Sequence, residues 1–234
     1  MKIIYKSFFV FLLFLIIIET VVIYGRTSIT NLAVILLYSI LIIWLYKTYS
    51  KTCIKNKYHI NSIKEITFMI ILSCAVFICF YISETGFISY FIPNYSSDTK
   101  LKAIEMINAS ILAPISEEIL FRGIVLNQIM KKHSFLFANT IQAAIFAILH
   151  FDLRIFIFLF LAGIMLGIMC NYLNLYCSIL IHSLKNLTNV ILMTISIKFI
   201  ELQKQEYLIM GIVFLIITAG LLIKIKAYKK YGIE

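Results

Sequence analysis

Glu117, Glu118 and Arg122 stand inside a stretch otherwise apolar enough to lie in a lipid bilayer. Each ionisable side chain at that depth costs roughly 2.5–3.5 kcal/mol on insertion scales, so such groups mark functional sites by default. Glu118 and Arg122 are four residues apart, which places them on one helical face where an ion pair can form. Glu117 is turned about 100° from Glu118 and stays free of that pair. Two later apolar stretches carry polar stripes of the same spacing: Gln142, Phe146 and His150 recur at four, as do His182 and Asn186, with Asn189 three further on. A carboxylate, two imidazoles and an amide suit hydrolysis. A glutamate can act as general base on water, while imidazole and amide groups hydrogen-bond the oxyanion that develops on a scissile carbonyl. Alternatively Glu117, His150 and His182 can hold a zinc ion that acidifies its water. Both arrangements hydrolyse a peptide bond.

These residues need helices to hold them. Apolar segments close to the roughly 20 residues of a bilayer span run from Phe8 to Tyr24, Thr30 to Tyr46, Ile66 to Tyr81 and Ile104 to Met130, then from Phe135 to Phe151, Ile155 to Cys170, Leu175 to Ile197 and Tyr207 to Ile225. The fold expected is therefore an all-α integral membrane protein, a bundle of about eight transmembrane helices around a polar intramembrane cavity. The fourth segment is too long for a simple span. Pro114 within it lacks an amide hydrogen and crowds the preceding turn, which predicts a kink or break. A rise of about 1.5 Å per residue puts Glu117 about 22 Å along its helix from the Lys131 turn, His150 about 25 Å, but His182 only about 12 Å and Asn186 about 18 Å. Glu117 and His150 thus match in depth, and the other two match imperfectly.

The whole chain agrees with this class: 234 residues, 62% hydrophobic and 14% charged, with mean hydropathy +0.99. Its net charge of +10 does not point to nucleic acid, because the lysines fall in short segments between apolar runs, where basic residues orient a membrane protein. They concentrate around 47–64 and 224–230, which predicts a multi-pass protein of the cell membrane with both termini cytoplasmic. The first apolar run follows Lys2 and Lys6 but has no clear small-x-small cleavage site before Arg26, so it reads as an uncleaved helix. Cys53, Cys74, Cys79, Cys170 and Cys177 form no C-x-x-C pair and read as packing residues. No repeat or linker is evident. One membrane domain spans 1–234, with the motif-bearing core at about 103–189.

Taken together, Glu117-Glu118-x-x-x-Arg122, Phe146-x-x-x-His150 and His182-x-x-x-Asn186, in that order on successive polar-bearing helices, resemble the CAAX protease and bacteriocin-processing (CPBP, or Abi) family of intramembrane endopeptidases. The resemblance covers a little over a third of the chain. It implies that Glu117 activates water with help from His150, that His182 and Asn186 stabilise the oxyanion, and that Glu118 and Arg122 support them. It also implies a metal-free glutamate mechanism as the expected form, with zinc held by Glu117, His150 and His182 as the alternative. The implied partners are the bilayer and a peptide or protein substrate, such as a bacteriocin or signal-peptide precursor, or a role in immunity. Oligomeric state is not written in the sequence.

The same residues also admit a non-enzymatic reading, as a scaffold, immunity protein or transporter whose polar groups are structural. Glu118 and Arg122 alone fit that reading well. Gln142 or Asn189 is the expected hydrogen-bond acceptor behind a histidine, and Lys185 is expected to meet an acidic partner. Glu19, near the end of its helix, is expected to reach the interface. Gly163-x-x-x-Gly167 presents a small-residue surface for close helix packing, within the chain in preference to between chains.

Overall fold

The computed structural model describes residues 2–25, 28–52, 106–153 and 155–195, with residues 209 and 212. All regular structure among the described residues is helical: α1 (Lys2–Tyr24), α2 (Ser28–Thr52), α3 (106–130), α4 (Phe135–Ile148), α5 (Phe156–Tyr172) and α6 (Leu175–Ile195). Each falls on an expected apolar segment, while the segments expected at 66–81 and 207–225 lie outside the described residues apart from 209 and 212. Cys53, Cys74 and Cys79 lie outside them too, and Cys170 and Cys177 form no disulfide among the described residues. The packing divides the chain into two compact units, Met1–Ile60 with Leu101–Val190, and Asn61–Lys100 with Ile191–Glu234. The first unit holds the site.

Helices α1 and α2 are apolar on both faces. Phe11 and Ile18 of α1 and Val34, Leu41 and Leu45 of α2 are buried, yet Phe9, Ile16 and Ile23 of α1 and Leu32, Leu36, Ile40 and Ile43 of α2 are all more than half exposed. A face of that kind is unfavourable in water and costs nothing in lipid. Both helices are long and apolar enough to cross a membrane, and the outward rows are what such a crossing needs. Inside the unit, lipid tails are as apolar as leucine, so helices associate through close packing and polar contacts in place of a hydrophobic drive.

Helix α3 is central. Residues 119–126 are all buried, and Ile119, Leu120, Phe121, Ile124 and Val125 pack in one cluster with Phe11, Leu41, Leu45, Phe146 and Leu159. Pro114 does not break the helix. Backbone angles remain right-handed helical on both sides of it, at Leu112 and Ala113 before it and at Glu118 and Ile119 after. Residues Asn108–Leu112 instead form wider π turns, with Ala113 N–H bonded to Asn108 O, which accommodates a proline ring that would clash with a carbonyl four residues back. A second π stretch covers Ile119–Leu126. Asn127 closes it, its Nδ2 donating to Arg122 O at 3.1 Å and Gly123 O at 2.8 Å. π turns inside α-helices are often found at functional sites, and Glu117 and Glu118 lie between these two.

Helices α4 and α5 meet through glycine. A Cβ on Gly163 would lie 2.9 Å from Ala143 Cβ, and one on Gly167 1.8 Å from Asn139 Oδ1. The small-residue surface therefore packs within the chain, as expected. α4 ends at Ile148, three residues short of the expected Phe151. His150 accordingly sits in the turn after α4, and the next residue, Phe151, takes φ of 53°, a left-handed conformation that a bulky residue adopts only at a cost of about 1–2 kcal/mol.

Candidate active site

Glu118 is the anchor of the site. It is fully buried, as is Arg122, and Arg122 Nη1 donates to Glu118 Oε1 at 2.7 Å. The same Oε1 accepts from His182 Nδ1 at 2.8 Å, and the other carboxylate oxygen accepts from the Ser178 hydroxyl. Three donors from two helices thus satisfy one carboxylate, the condition under which a buried charge is tolerated. Arg122 is held on its far side as well, since Nη2 donates to Gly163 O at 3.2 Å and its guanidinium carbon lies 4.7 Å from the centroid of the Phe146 ring.

His182 joins this anchor to Glu117. With Nδ1 on Glu118, its other nitrogen, Nε2, stands 3.9 Å from Glu117 Oε2. The expected depth mismatch between Glu117 and His182 is therefore closed. Counting along straight helices from the flanking turns overstated it. Glu117 is partly open, its side chain 20% exposed against 6% for His182. It has no ion pair with Arg122 among the described residues, as its expected face implied.

Glu117 lines a cavity of about 400 Å³ whose wall also includes Glu19 and Ile18 of α1, Tyr38 of α2, Asn108 of α3, and Phe146 and His150. His150 is exposed toward it and held by its Nδ1, 2.8 Å from Phe146 O. A carbonyl only accepts, so Nδ1 carries the proton and Nε2 is the nitrogen left for a ligand. His182 and Asn186 are not among the residues that line this cavity, and His182 Nε2 adjoins it through Glu117. Asn186 donates its Nδ2 to Ala109 O at 3.0 Å, tying α6 to the start of α3.

Other expectations are corrected. Gln142 does not back a histidine: its Nε2 donates to Asn139 Oδ1 at 2.8 Å and Gly163 O at 2.9 Å. The acceptors behind the histidines are instead Glu118 for His182 and the Phe146 carbonyl for His150, while Asn189 Oδ1 is buried without a partner. Lys185 makes no ion pair among the described residues. Glu19, expected to reach the interface, is exposed and also lines the cavity.

Two contributors, Ser178 and Tyr38, were not anticipated from the sequence, and Phe146 was named there only as part of a motif, without a role. Ser178 is one turn before His182, where the spacing of four, extended back from the stripe, would have reached it. Phe146 lies between the motifs: its ring is 4.5 Å from that of His150 and 6.0 Å from that of His182, beneath the Arg122 guanidinium. Only its place four residues before His150 hinted at this. Tyr38 carried no sequence signal at all, being one of many tyrosines in apolar runs.

The three residues proposed as zinc ligands do not form a ligand set. Among the described residues no three His, Cys, Asp or Glu side chains are placed to hold a metal ion.

Residues 99–188 match the family described as type II CAAX prenyl endopeptidase Rce1-like. A stretch of 49 residues is 45% identical to the "Putative membrane peptidase YdiL" of Bacillus subtilis (strain 168), covering 21% of this chain and 20% of that protein. No solved structure matches. The matched segment contains Glu117, Glu118, Arg122, His150, His182 and Asn186, and its family supports a membrane protease of the CAAX type in general terms. The three motifs read from the sequence thus fall inside residues 99–188, the segment that matches the Rce1-like family model.

Proposed function

We propose that this chain is an intramembrane endopeptidase that hydrolyses a peptide bond in a membrane-associated peptide or protein, with Glu117 as the base. The observation that carries this is the placement of His182, with Nδ1 on buried Glu118 and Nε2 3.9 Å from cavity-lining Glu117. Glu117 takes a proton from water, and the hydroxide adds to the scissile carbonyl. His150, through Nε2, orients that water from the cavity wall. His182 donates from Nε2 only when its ring is doubly protonated, a charge balanced by the carboxylates on either side. In that form it holds the oxyanion together with the second amide hydrogen of Asn186. Collapse of the tetrahedral intermediate breaks the C–N bond, and the proton held on Glu117 passes to the leaving amine. Preorganised donors of this kind typically account for about 10²–10³ in rate each. Substrates of the bacteriocin or signal-peptide precursor type fit the proposed role, in a multi-pass cell-membrane protein with both termini cytoplasmic.

The test is cleavage of a precursor peptide by the purified chain in liposomes. Glu117→Gln is expected to lower kcat by about 10²–10⁴, and His150→Ala by less, at matched amounts of folded protein. Equal cleavage by wild type and Glu117→Gln would sink the assignment and favour the scaffold reading. Activity that a chelator removes and zinc restores would replace the metal-free mechanism.

A further inference from the structure

The polar wall of the cavity is rich in acceptors. Glu19 and Glu117 bring two carboxylates, and among the described residues no Lys or Arg lines the cavity even though the chain carries a net charge of +10. Arg122, the cation nearest in sequence to Glu117, is fully buried on Glu118 and cannot serve them. Glu19 has no ion pair among the described residues. Asn108 Oδ1, a further acceptor in the cavity-lining set, is buried without a partner. His150 presents Nε2, since its Nδ1–H is committed to Phe146 O. Tyr38 is 7% exposed and lines the same cavity, and its hydroxyl makes no hydrogen bond among the described residues. Such a set is unsatisfied by the protein itself. Glu19 is exposed and Glu117 one-fifth open, so both carboxylates are accessible to a donor-rich cation, which supplies the counter-charge.

We infer that the cavity receives a cationic group of the substrate, a Lys or Arg side chain or a free α-amino group next to the cleaved bond, and that Glu19 is its counter-charge and sets this specificity. The inference rests on the peptidase reading for the word substrate, while the cation site itself rests on the cavity. Glu117 is reserved for water, so Glu19 on α1 is the carboxylate left for the ligand. Phe11, Leu15 and Ile18 on the same wall pack the methylene stem of such a side chain while its charged head reaches the carboxylate. A volume of about 400 Å³ lies within the range of small-ligand sites, about 300–1,000 Å³, and suits one or two side chains.

The experiment uses the full chain in nanodiscs and a set of apolar decapeptides that differ at one scanned position, carrying Lys, norleucine or Glu there. Cleavage and binding are both measured, cleavage by mass spectrometry and binding by fluorescence anisotropy. Wild type is expected to cleave the best Lys peptide with kcat/KM roughly tenfold or more above its norleucine twin. Glu19→Gln is expected to shrink that ratio to within about threefold, chiefly through the Lys peptide, and Glu19→Lys to turn preference toward the Glu peptide. Cleavage with no Lys preference, or a preference that survives Glu19→Gln, would overturn the cation site and leave the peptidase reading standing. Lys-selective binding that Glu19→Gln removes, with no cleavage of any peptide, would uphold the cation site and count against the peptidase. Loss of fold in Glu19→Gln is read separately by thermal unfolding, and Glu19→Asp, which keeps the charge, is expected to retain a Lys preference.

Discussion

Glu117 and Glu118 are adjacent and chemically identical, and their surroundings divide them. Glu118 accepts from Arg122, His182 and Ser178 with no exposed surface, whereas Glu117 faces the cavity with one fifth of its side chain open. The first orients and the second can react. Removing one partner of a buried ion pair leaves an uncompensated charge, so Arg122→Met is expected to destabilise the protein by about 3–5 kcal/mol, seen as a lowered unfolding temperature in detergent. Ser178→Ala removes a single intramembrane hydrogen bond, worth on average about 0.6 and at most about 1.7 kcal/mol. Its stability loss is therefore expected to be small. Its loss of kcat is expected to exceed what that predicts, because His182 is then aimed by a less constrained carboxylate.

At the level of helices, α3 owes its shape to proline and its position to glycine. The wide turns Asn108–Leu112 accommodate Pro114, and the close approach of α4 and α5 exposes Gly163 O to Arg122 and Gln142. Packing and charge are coupled at that carbonyl. A side chain on Gly167 would displace Asn139, which donates to Ile164 O at 3.0 Å and accepts from Gln142. Gly167→Leu is expected to cost about 1–3 kcal/mol or more from overpacking, measured by thermal unfolding, and to lower activity through Gln142 and Gly163. The turn after α4 gives the opposite sign. Phe151 is left-handed and 83% exposed, so Phe151→Gly is expected to relieve about 1 kcal/mol of strain while loosening the hold on His150, which kinetics on the purified variant would show as a lowered kcat.

For the molecule as a whole, the outward rows of α1 and α2 argue for lipid contact on the described unit, and the distribution of lysines supports both ends on the cytoplasmic side. A reporter active only in the cytoplasm, fused after Glu234, is expected to be active, and one that matures only outside the cell is expected to be silent. The reverse result would invert the topology and with it the membrane face from which substrate enters. The cavity sits between helices that are far apart in sequence, α1 and α2 on one side and α3 with the end of α4 on the other. Intramembrane sites are built this way because a single helix cannot shelter a charge from lipid by itself.

The sequence by itself determined the helical class, the separation of Glu117 from the Glu118–Arg122 pair, and the pairing of Gly163 and Gly167 with a neighbouring helix. Each follows from composition or from the period of one helix, which are local properties. It also indicated the Rce1-like segment, since motif order survives without coordinates. Only the tertiary structure decided that His182 bridges the two glutamates, that Ser178 and Phe146 complete the anchor, that Gln142 serves helix packing, and that Glu19 and Tyr38 face the cavity with Glu117. Those facts depend on which faces of distant helices meet and on π turns that shift the register of α3. A count of 1.5 Å per residue along straight helices cannot supply either one.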